Sequence, residues 1–443
     1  AAIVSWIAVA SALAGCNPGA FDELADRGSD FGKRDASVED PDASHEGGAG
    51  RGDAAADGGS SSGTSGTGAG GATANSTGTG GPAAAAGGAG AGGRSGAGGA
   101  AGQDPGPAPC THAMDLAKVT LSTSEVGELA EPAWVAQRTV AASALVRDRV
   151  LLACPVPGAF GMAGWGSKLG LQSSPPHLEE QGPYVPLFES SAVPVDREPV
   201  IGSAVSDGDS ALIYFAAGYG LAIGGAGLAR VQRNGNRAEV LRAAGALFPP
   251  PATGPAPWRP AFVKAAIVVT ESDVDHVYVY GCGANPANDD EKQDAVHESP
   301  CRIARVPRPD AALGDSYRFW TGQEWSADVG RAAIVLDHVI SNFSVSYNTY
   351  LGKYLAVISV ASNSVVLRFA DRPEGPWSVL GEFSTITATG GFLTTFNAIE
   401  LPALRDACQR VTYVSYVSTA DAQKADGTAD VDFSTRFVRV ELR

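Results

Sequence analysis

Between Cys110 and Arg443, apolar and polar residues alternate in short runs, punctuated every several residues by Gly, Pro, Asn or Asp. A period of two puts successive side chains on opposite faces of a pleated strand, so the pattern predicts strands. No stretch holds the 3.6-residue period of an amphipathic helix over several turns, and the region reads as all-β. The runs also recur. A strand, a polar turn and a more apolar second strand are followed by a variable loop and a third strand carrying Arg.

Five such units align. They are ASALVRDRVLLAC (142–154); IGSAVSDGDSALIYFAAG (201–218) with GLARVQRNG (227–235); KAAIVVTESDVDHVYVYGCG (264–283) with CRIARVPRPD (301–310); FSVSYNTYLGKYLAVISV (343–360) with SVVLRFADRP (364–373); and NAIELPALRDACQRVTYVSYVS (397–418) with TRFVRVELR (435–443). Arg230, Arg305, Arg368 and Arg439 fall at matching places in the third strand. Five repeats, each with room for a four-stranded antiparallel sheet, predict a five-bladed β-propeller. The fifth unit holds three strands. Val119-Thr120-Leu121-Ser122-Thr123, ahead of the first unit, can supply the fourth and cover an exposed edge.

The amino-terminal third has a different texture. Residues 1–15 are small and apolar and end in Leu13-Ala14-Gly15-Cys16. The stretch is too short to span a bilayer and has the make-up of a secretory signal. Its end resembles the bacterial lipobox, which implies lipidation of Cys16 and removal of residues 1–15. No Met, Lys or Arg precedes Cys16, so the charged start of such a signal is expected before Ala1. Residues 16–109 are acidic at first and then rich in Gly, Ala, Ser and Thr. That composition buries too little apolar surface to offset chain entropy, and predicts a disordered tether. Its reach is roughly 50 Å root-mean-square. The domain boundaries are thus 1–15, 16–109 and 110–443. The expected location is the bacterial cell envelope, with membrane contact through the lipid anchor alone.

Charge changes the picture in one respect. With 32 Lys and Arg against 48 Asp and Glu, the net charge is −16, and no basic stripe exists to neutralise phosphates. Nucleic acid is therefore not an expected partner. Nothing in the pattern calls for an oligomer, and a monomer is expected.

In the fourth unit, Asn342-Phe343-Ser344-Val345-Ser346-Tyr347-Asn348, Tyr350-Leu351-Gly352-Lys353-Tyr354, Val366-Leu367-Arg368 and Arg372-Pro373-Glu374-Gly375-Pro376-Trp377-Ser378 resemble one family. It is the bacterial five-bladed propeller family catalogued as domain of unknown function 4185. Tyr317-Arg318-Phe319-Trp320-Thr321-Gly322 and Trp325 are similar to another part of its pattern. The resemblance is strongest over 264–380. It implies the propeller fold and, through members that are endo-D-arabinanases, a wall polysaccharide as partner. Members tend to carry a Gly-Asp-Thr-like acidic motif at the end of the first blade's second strand. Here Leu151-Leu152-Ala153-Cys154-Pro155-Val156 has no acid.

Glycoside hydrolysis takes two carboxyl groups flanking the sugar. In a propeller, the positions that open each innermost strand converge on the central channel. The repeat alignment puts Glu198 (beside Arg197), Trp258, Arg259, Asn342 and Asn397 there, with Glu189 on the loop before the second blade. Glu198 and Glu189 are the candidate catalytic pair; Trp258, Arg259, Asn342 and Asn397 are candidate ligand-binding residues. Two functions fit: a glycan-recognising propeller that hydrolyses its ligand, and a non-catalytic binding or scaffold lipoprotein.

Other motifs read as structure. Asp207-Gly208-Asp209 and Glu271-Ser272-Asp273 are turn sequences. Asn285-Pro286-Ala287-Asn288-Asp289-Asp290-Glu291 is oxygen-rich enough to hold calcium but lacks the spacing of an established loop, and a solvated insertion is the simpler reading. His276 and His338 lack the paired spacing of a zinc site. Gly224–Gly227 reads as a loop before a strand. In an oxidising compartment, Cys282 and Cys301 face each other across a loop base, and Cys110 and Cys408 flank the closing blade. Both pairs are expected to be disulfides. Cys154, in an apolar strand, is left over and buried.

Overall fold

The computed structural model describes residues 110, 115–128, 140–156, 159–177, 186–193, 197–219, 222–248, 260–283, 299–360, 363–385, 394–423 and 429–443. The predicted signal, Cys16, the tether, the 285–291 loop, Trp258 and Arg259 lie outside these residues.

The described chain is five antiparallel sheets, as the repeat predicts. After β1 (Leu121–Glu128), blade 1 comprises β2 (Ala142–Val146), β3 (Arg149–Val156) and β4 (Ala159–Ser167). Blade 2 holds β5 (Glu198–Asp207), β6 (Ser210–Tyr219), β7 (Ala222–Gln232) and β8 (Ala238–Arg242). Blade 3 is enlarged to six strands: β9 (Ala261–Glu271), β10 (Val274–Cys282), β11 (Ser299–Pro307), β12 (Arg318–Trp320), β13 (Trp325–Ser326) and β14 (Leu336–Val339). Blade 4 follows with β15 (Ser344–Asn348), β16 (Lys353–Val360), β17 (Ser364–Ala370) and β18 (Ser378–Ser384). Blade 5 is β19 (Thr394–Glu400), β20 (Val411–Gln423) and β21 (Ala429–Leu442), with β1 on its outer edge. The closing strand is the one predicted. Leu121 pairs with Leu442 and Glu128 with Arg436, and the Arg436 guanidinium bonds both Glu125 and Glu128 at 2.7 Å.

Besides the enlarged blade 3, two details depart from the sequence reading. Blade 1 has three strands among the described residues, and β4 leads into a short helix, α1 (Lys168–Gln172). Ser167 caps α1 by accepting from the Gly170 amide. Lys168 and Gln172 then donate to the carbonyls of Arg405 and Leu404 at 2.6 and 2.7 Å, linking blade 1 to blade 5. The Gly224–Gly227 run lies inside β7, not ahead of it. The run pairs with β6, Gly227 opposite Phe215, and glycine is needed there because a Cβ would come within 2.6 Å of the Phe215 ring and 2.7 Å of the Arg242 carbonyl.

Apolar clusters fill the spaces between blades. One, between blades 2 and 3, gathers Phe248, Phe262, Tyr317 and Phe319; another, between blades 3 and 4, gathers Tyr280, Ile303, Phe343 and Ile358. The four matching Arg residues share a task. Each pairs with an acid: Arg230 with Asp207, Arg305 with Glu271, Arg368 with Asp337 and Arg439 with Glu441, at 2.6–3.4 Å. Asp207-Gly208-Asp209 and Glu271-Ser272-Asp273 close the inner hairpins, as their turn chemistry predicts. Cys282 and Cys301 are direct cross-strand neighbours and form a disulfide; Cys110 and Cys408 form the second. Cys154 is buried and belongs to neither.

Candidate functional site

The five innermost strands are β2, β5, β9, β15 and β19. Three of them bulge. In β5 the extra residue is Gly202, in β9 Val263 and Lys264 fall between paired positions, and in β19 Asn397 and Ala398 oppose a single residue of β20. A bulge re-aims backbone groups that a regular ladder would consume. Gly202 is required at its place, since a Cβ there would meet the Val263 carbonyl oxygen at 2.0 Å. Asn397 takes φ of 52°, a left-handed conformation that Asn tolerates better than most residues.

Asn342 fills the space these bulges open. Its side-chain amide donates to the carbonyls of Ile201 (2.9 Å) and Ala141 (3.4 Å), and its backbone amide donates to Asn397 Oδ1 at 3.2 Å. The Asn397 amide donates to Ser341 Oγ at 2.7 Å, and the Phe343 amide to the Lys264 carbonyl at 3.2 Å. All five blades meet in this one belt, and both asparagines are buried. The structure therefore brings Asn342 and Asn397 together, bonds the Asn342 backbone amide to the Asn397 side-chain oxygen, and commits the Asn342 side-chain amide to the backbone of blades 1 and 2 across the axis.

Beneath the belt is a cavity of about 310 Å³ between the later parts of the same strands. Ala144, Val205, Ile267, Val345 and Ile399 are among its apolar lining, and five serines, Ser143, Ser203, Ser206, Ser344 and Ser346, are its small polar positions. Glu400 also borders it, but its carboxylate is spoken for. It accepts from Arg405 Nε and Nη2 at 2.8 and 2.9 Å, from Thr412 Oγ1 at 2.6 Å and from Ser346 Oγ. Arg405 in turn bonds the Tyr347 carbonyl and Gln409 Oε1. This pair was not singled out in the sequence. Its signal was a Glu set among apolar neighbours in Asn397-Ala398-Ile399-Glu400-Leu401, with an Arg five residues on.

Above the belt lies the mouth formed by the strand starts. Glu198 opens β5 there and is half-buried. Glu189 does not join it in a buried pair: it precedes a short 3₁₀ turn, is exposed, and stands 3.9 Å from Arg237. Lys264, which the sequence reading passed over, is half-buried on β9, and burial pushes its pKa down to about 8. His276 packs 3.8 Å from Glu271, and His338 is exposed. Among the described residues no group of three or more His, Cys, Asp or Glu is placed to hold a metal ion.

Residues 226–394 match the family described as Domain of unknown function (DUF4185). The match bears out the resemblance drawn from the sequence and runs from β7 through blades 3 and 4. Lys264 and Asn342 fall inside the DUF4185 segment, whereas Glu198 and Asn397 lie to either side of it. No curated protein matches the chain. Among solved structures, a GH43_1 enzyme from Xanthomonas citri complexed with xylose is similar at 15% identity, covering 71% of this chain and 94% of that one, with a TM-score of 0.40. An exo-beta-1,3-galactanase from Phanerochaete chrysosporium with galactose is similar at 12% identity, covering 68% and 60%, with a TM-score of 0.37. An alpha-L-arabinofuranosidase from Clostridium thermocellum is similar at 11% identity, covering 67% and 94%, with a TM-score of 0.35.

Proposed function

We propose that the propeller is the glycan-recognising head of a lipid-anchored envelope protein, with its ligand received at the mouth above the amide belt. The match of residues 226–394 to DUF4185 carries this reading, since the resemblance to that family implies, through its endo-D-arabinanase members, a wall polysaccharide as partner. Two disulfides support an oxidising, extracytoplasmic setting. The lipobox-like Leu13-Ala14-Gly15-Cys16 supports the anchor.

Binding is the first function and turnover the second. Hydrolysis takes two carboxyl groups on either side of the sugar. Among the described inner-strand carboxylates, Asp207 and Glu271 end their strands paired with Arg230 and Arg305, Glu400 is sealed by Arg405, and Glu198 opens β5 half-buried; Glu189, off the inner strands, is exposed. The reading that favours catalysis rests on Glu198, with Trp258 and Arg259 beside the same mouth in the repeat alignment.

The test incubates the protein with a panel of wall polysaccharides and measures both retention and released oligosaccharide. Retention of at least one glycan is expected, and Trp258→Ala should weaken it by about 1–3 kcal/mol, a magnitude typical of lost ring stacking. Glu198→Gln should leave retention intact and abolish any release. If no glycan is retained, or if both variants match the parent on every glycan it retains, the mouth is not a glycan site. The anchor is tested separately: Cys16→Ser should abolish lipid labelling and free the protein from membranes, and persistent attachment would refute it.

A further inference from the structure

Five residues in or just ahead of the inner strands, one from each blade, meet at the belt: Ala141, Ile201, Lys264, Asn342 and Asn397. Lys264 alone among them carries a charge. Its backbone is fixed, because it sits in the β9 bulge and its carbonyl accepts from the Phe343 amide. Its side chain has no hydrogen-bond or ion-pair partner among the described residues. That is unusual in a chain where acids outnumber bases by 48 to 32.

The placement of the ammonium follows from the fold. An innermost strand is covered on both faces by the neighbouring blades and along its outer edge by its own second strand. Solvent therefore reaches it along the channel. The lower cavity takes Ala266, Ile267 and Val268 from β9, and Lys264 is not part of its lining. Lys264 is partly accessible, and its backbone stands in the belt near the starts of the inner strands, on the side of the mouth. Burial without a counter-charge disfavours the ammonium, and its pKa falls to about 8 accordingly. A cation desolvated without a partner is costly unless something completes it.

We propose that Lys264 anchors the anionic group of an acidic glycan, a carboxylate or phosphate borne by the sugar, at the channel mouth. This rests on the glycan reading and narrows it to charged polysaccharides. The bound anion would supply the missing partner, and charge-assisted hydrogen bonds from the ammonium would select it over a neutral sugar.

The experiment compares the protein's affinity for oligogalacturonate, for the carboxyl-reduced neutral oligomer and for an oligomer of glycerol phosphate. Wild type should prefer at least one charged ligand over the neutral one by roughly tenfold or more. Lys264→Met should erase that preference while keeping the residual affinity for the neutral oligomer, and Lys264→Arg should retain most of it. Which charged oligomer is preferred tells a carboxylate from a phosphate. Equal binding of charged and neutral oligomers, or a preference that survives Lys264→Met, would overturn the proposal and leave the glycan reading standing. Binding of none of the three would also overturn the proposal, and, joined by no retention across the wall-polysaccharide panel, would overturn the glycan reading with it. Thermal melts check that the Met variant is folded; loss of a desolvated, unpartnered charge should not lower its midpoint.

Discussion

Arg405→Met should cost the protein about 3–5 kcal/mol of stability, the range for breaking a buried ion pair from one side. Both partners are inaccessible, with side-chain exposure of 5% for Arg405 and 0% for Glu400. In the variant, Glu400 would keep its bonds from Thr412 and Ser346 but lose both guanidinium donors while its carboxylate stays buried. The effect should extend past the pair. Arg405 also holds the Tyr347 carbonyl at the end of β15, and its own carbonyl accepts from Lys168 of α1. Blades 1, 4 and 5 are joined through this one side chain and its peptide. The double variant Glu400→Gln, Arg405→Met should recover part of the loss, since it leaves no buried charge. Chemical denaturation of the parent, both single variants and the double variant gives the coupling directly. A single-variant loss under about 1 kcal/mol would mean that the site relaxes or hydrates, contrary to its burial.

The propeller was legible in the sequence because its signal is local. Each inner hairpin is a contiguous run in which a turn such as Asp207-Gly208-Asp209 sits between two alternating strands, and the run recurs five times. The third-strand Arg positions aligned for a physical reason: each meets an acid, Arg230 and Arg305 at the end of their own blade's innermost strand, Arg368 on β14 of the preceding blade and Arg439 on its own strand, so its place in the unit is constrained. Cys282 and Cys301 were readable because a cross-strand pair in a hairpin is set by register. The belt was not readable in the same way. It depends on bulges in β5, β9 and β19 that turn backbone groups inward, and on an Asn from a fourth blade that meets them. Alignment placed Asn342 and Asn397 at the axis, but the bonding that binds them to each other comes from residues 55 apart. Glu400 and Arg405 hid for a related cause, since the groups that satisfy them, Ser346, Tyr347, Gln409 and Thr412, come from different strands and turns. Lys264 hid as an ordinary lysine. Its place within Phe262-Val263-Lys264-Ala265-Ala266-Ile267, a run otherwise apolar, was the available sign.

Removing the Cys110–Cys408 bridge should destabilise the ring by about 3–5 kcal/mol, and by more than removing Cys282–Cys301. The two differ in what they close. Cys282–Cys301 spans a sequence separation of 19 and ties residues already paired in register; Cys110–Cys408 spans 298 and encloses nearly the whole propeller. In the chain-entropy account the stabilisation grows with the logarithm of loop length, so the longer bridge restrains the unfolded chain more, by roughly 2 kcal/mol. The fold adds a second argument. Cys110 stands ahead of β1, the strand that completes blade 5, and Cys408 lies in the turn between β19 and β20 of that blade. Without the bridge, β1 is kept in place by its ladder to β21 and by the Arg436 pairs with Glu125 and Glu128, which are surface contacts of modest worth. Its loss would expose the edge of β21 to pairing with another chain. Cys110→Ser with Cys408→Ser should therefore both lower the unfolding midpoint and raise the tendency to associate, whereas Cys282→Ser with Cys301→Ser should lower the midpoint alone. Denaturation curves and light scattering on the two double variants separate the cases. Equal losses with no association in either would show that β1 holds the ring shut by pairing alone.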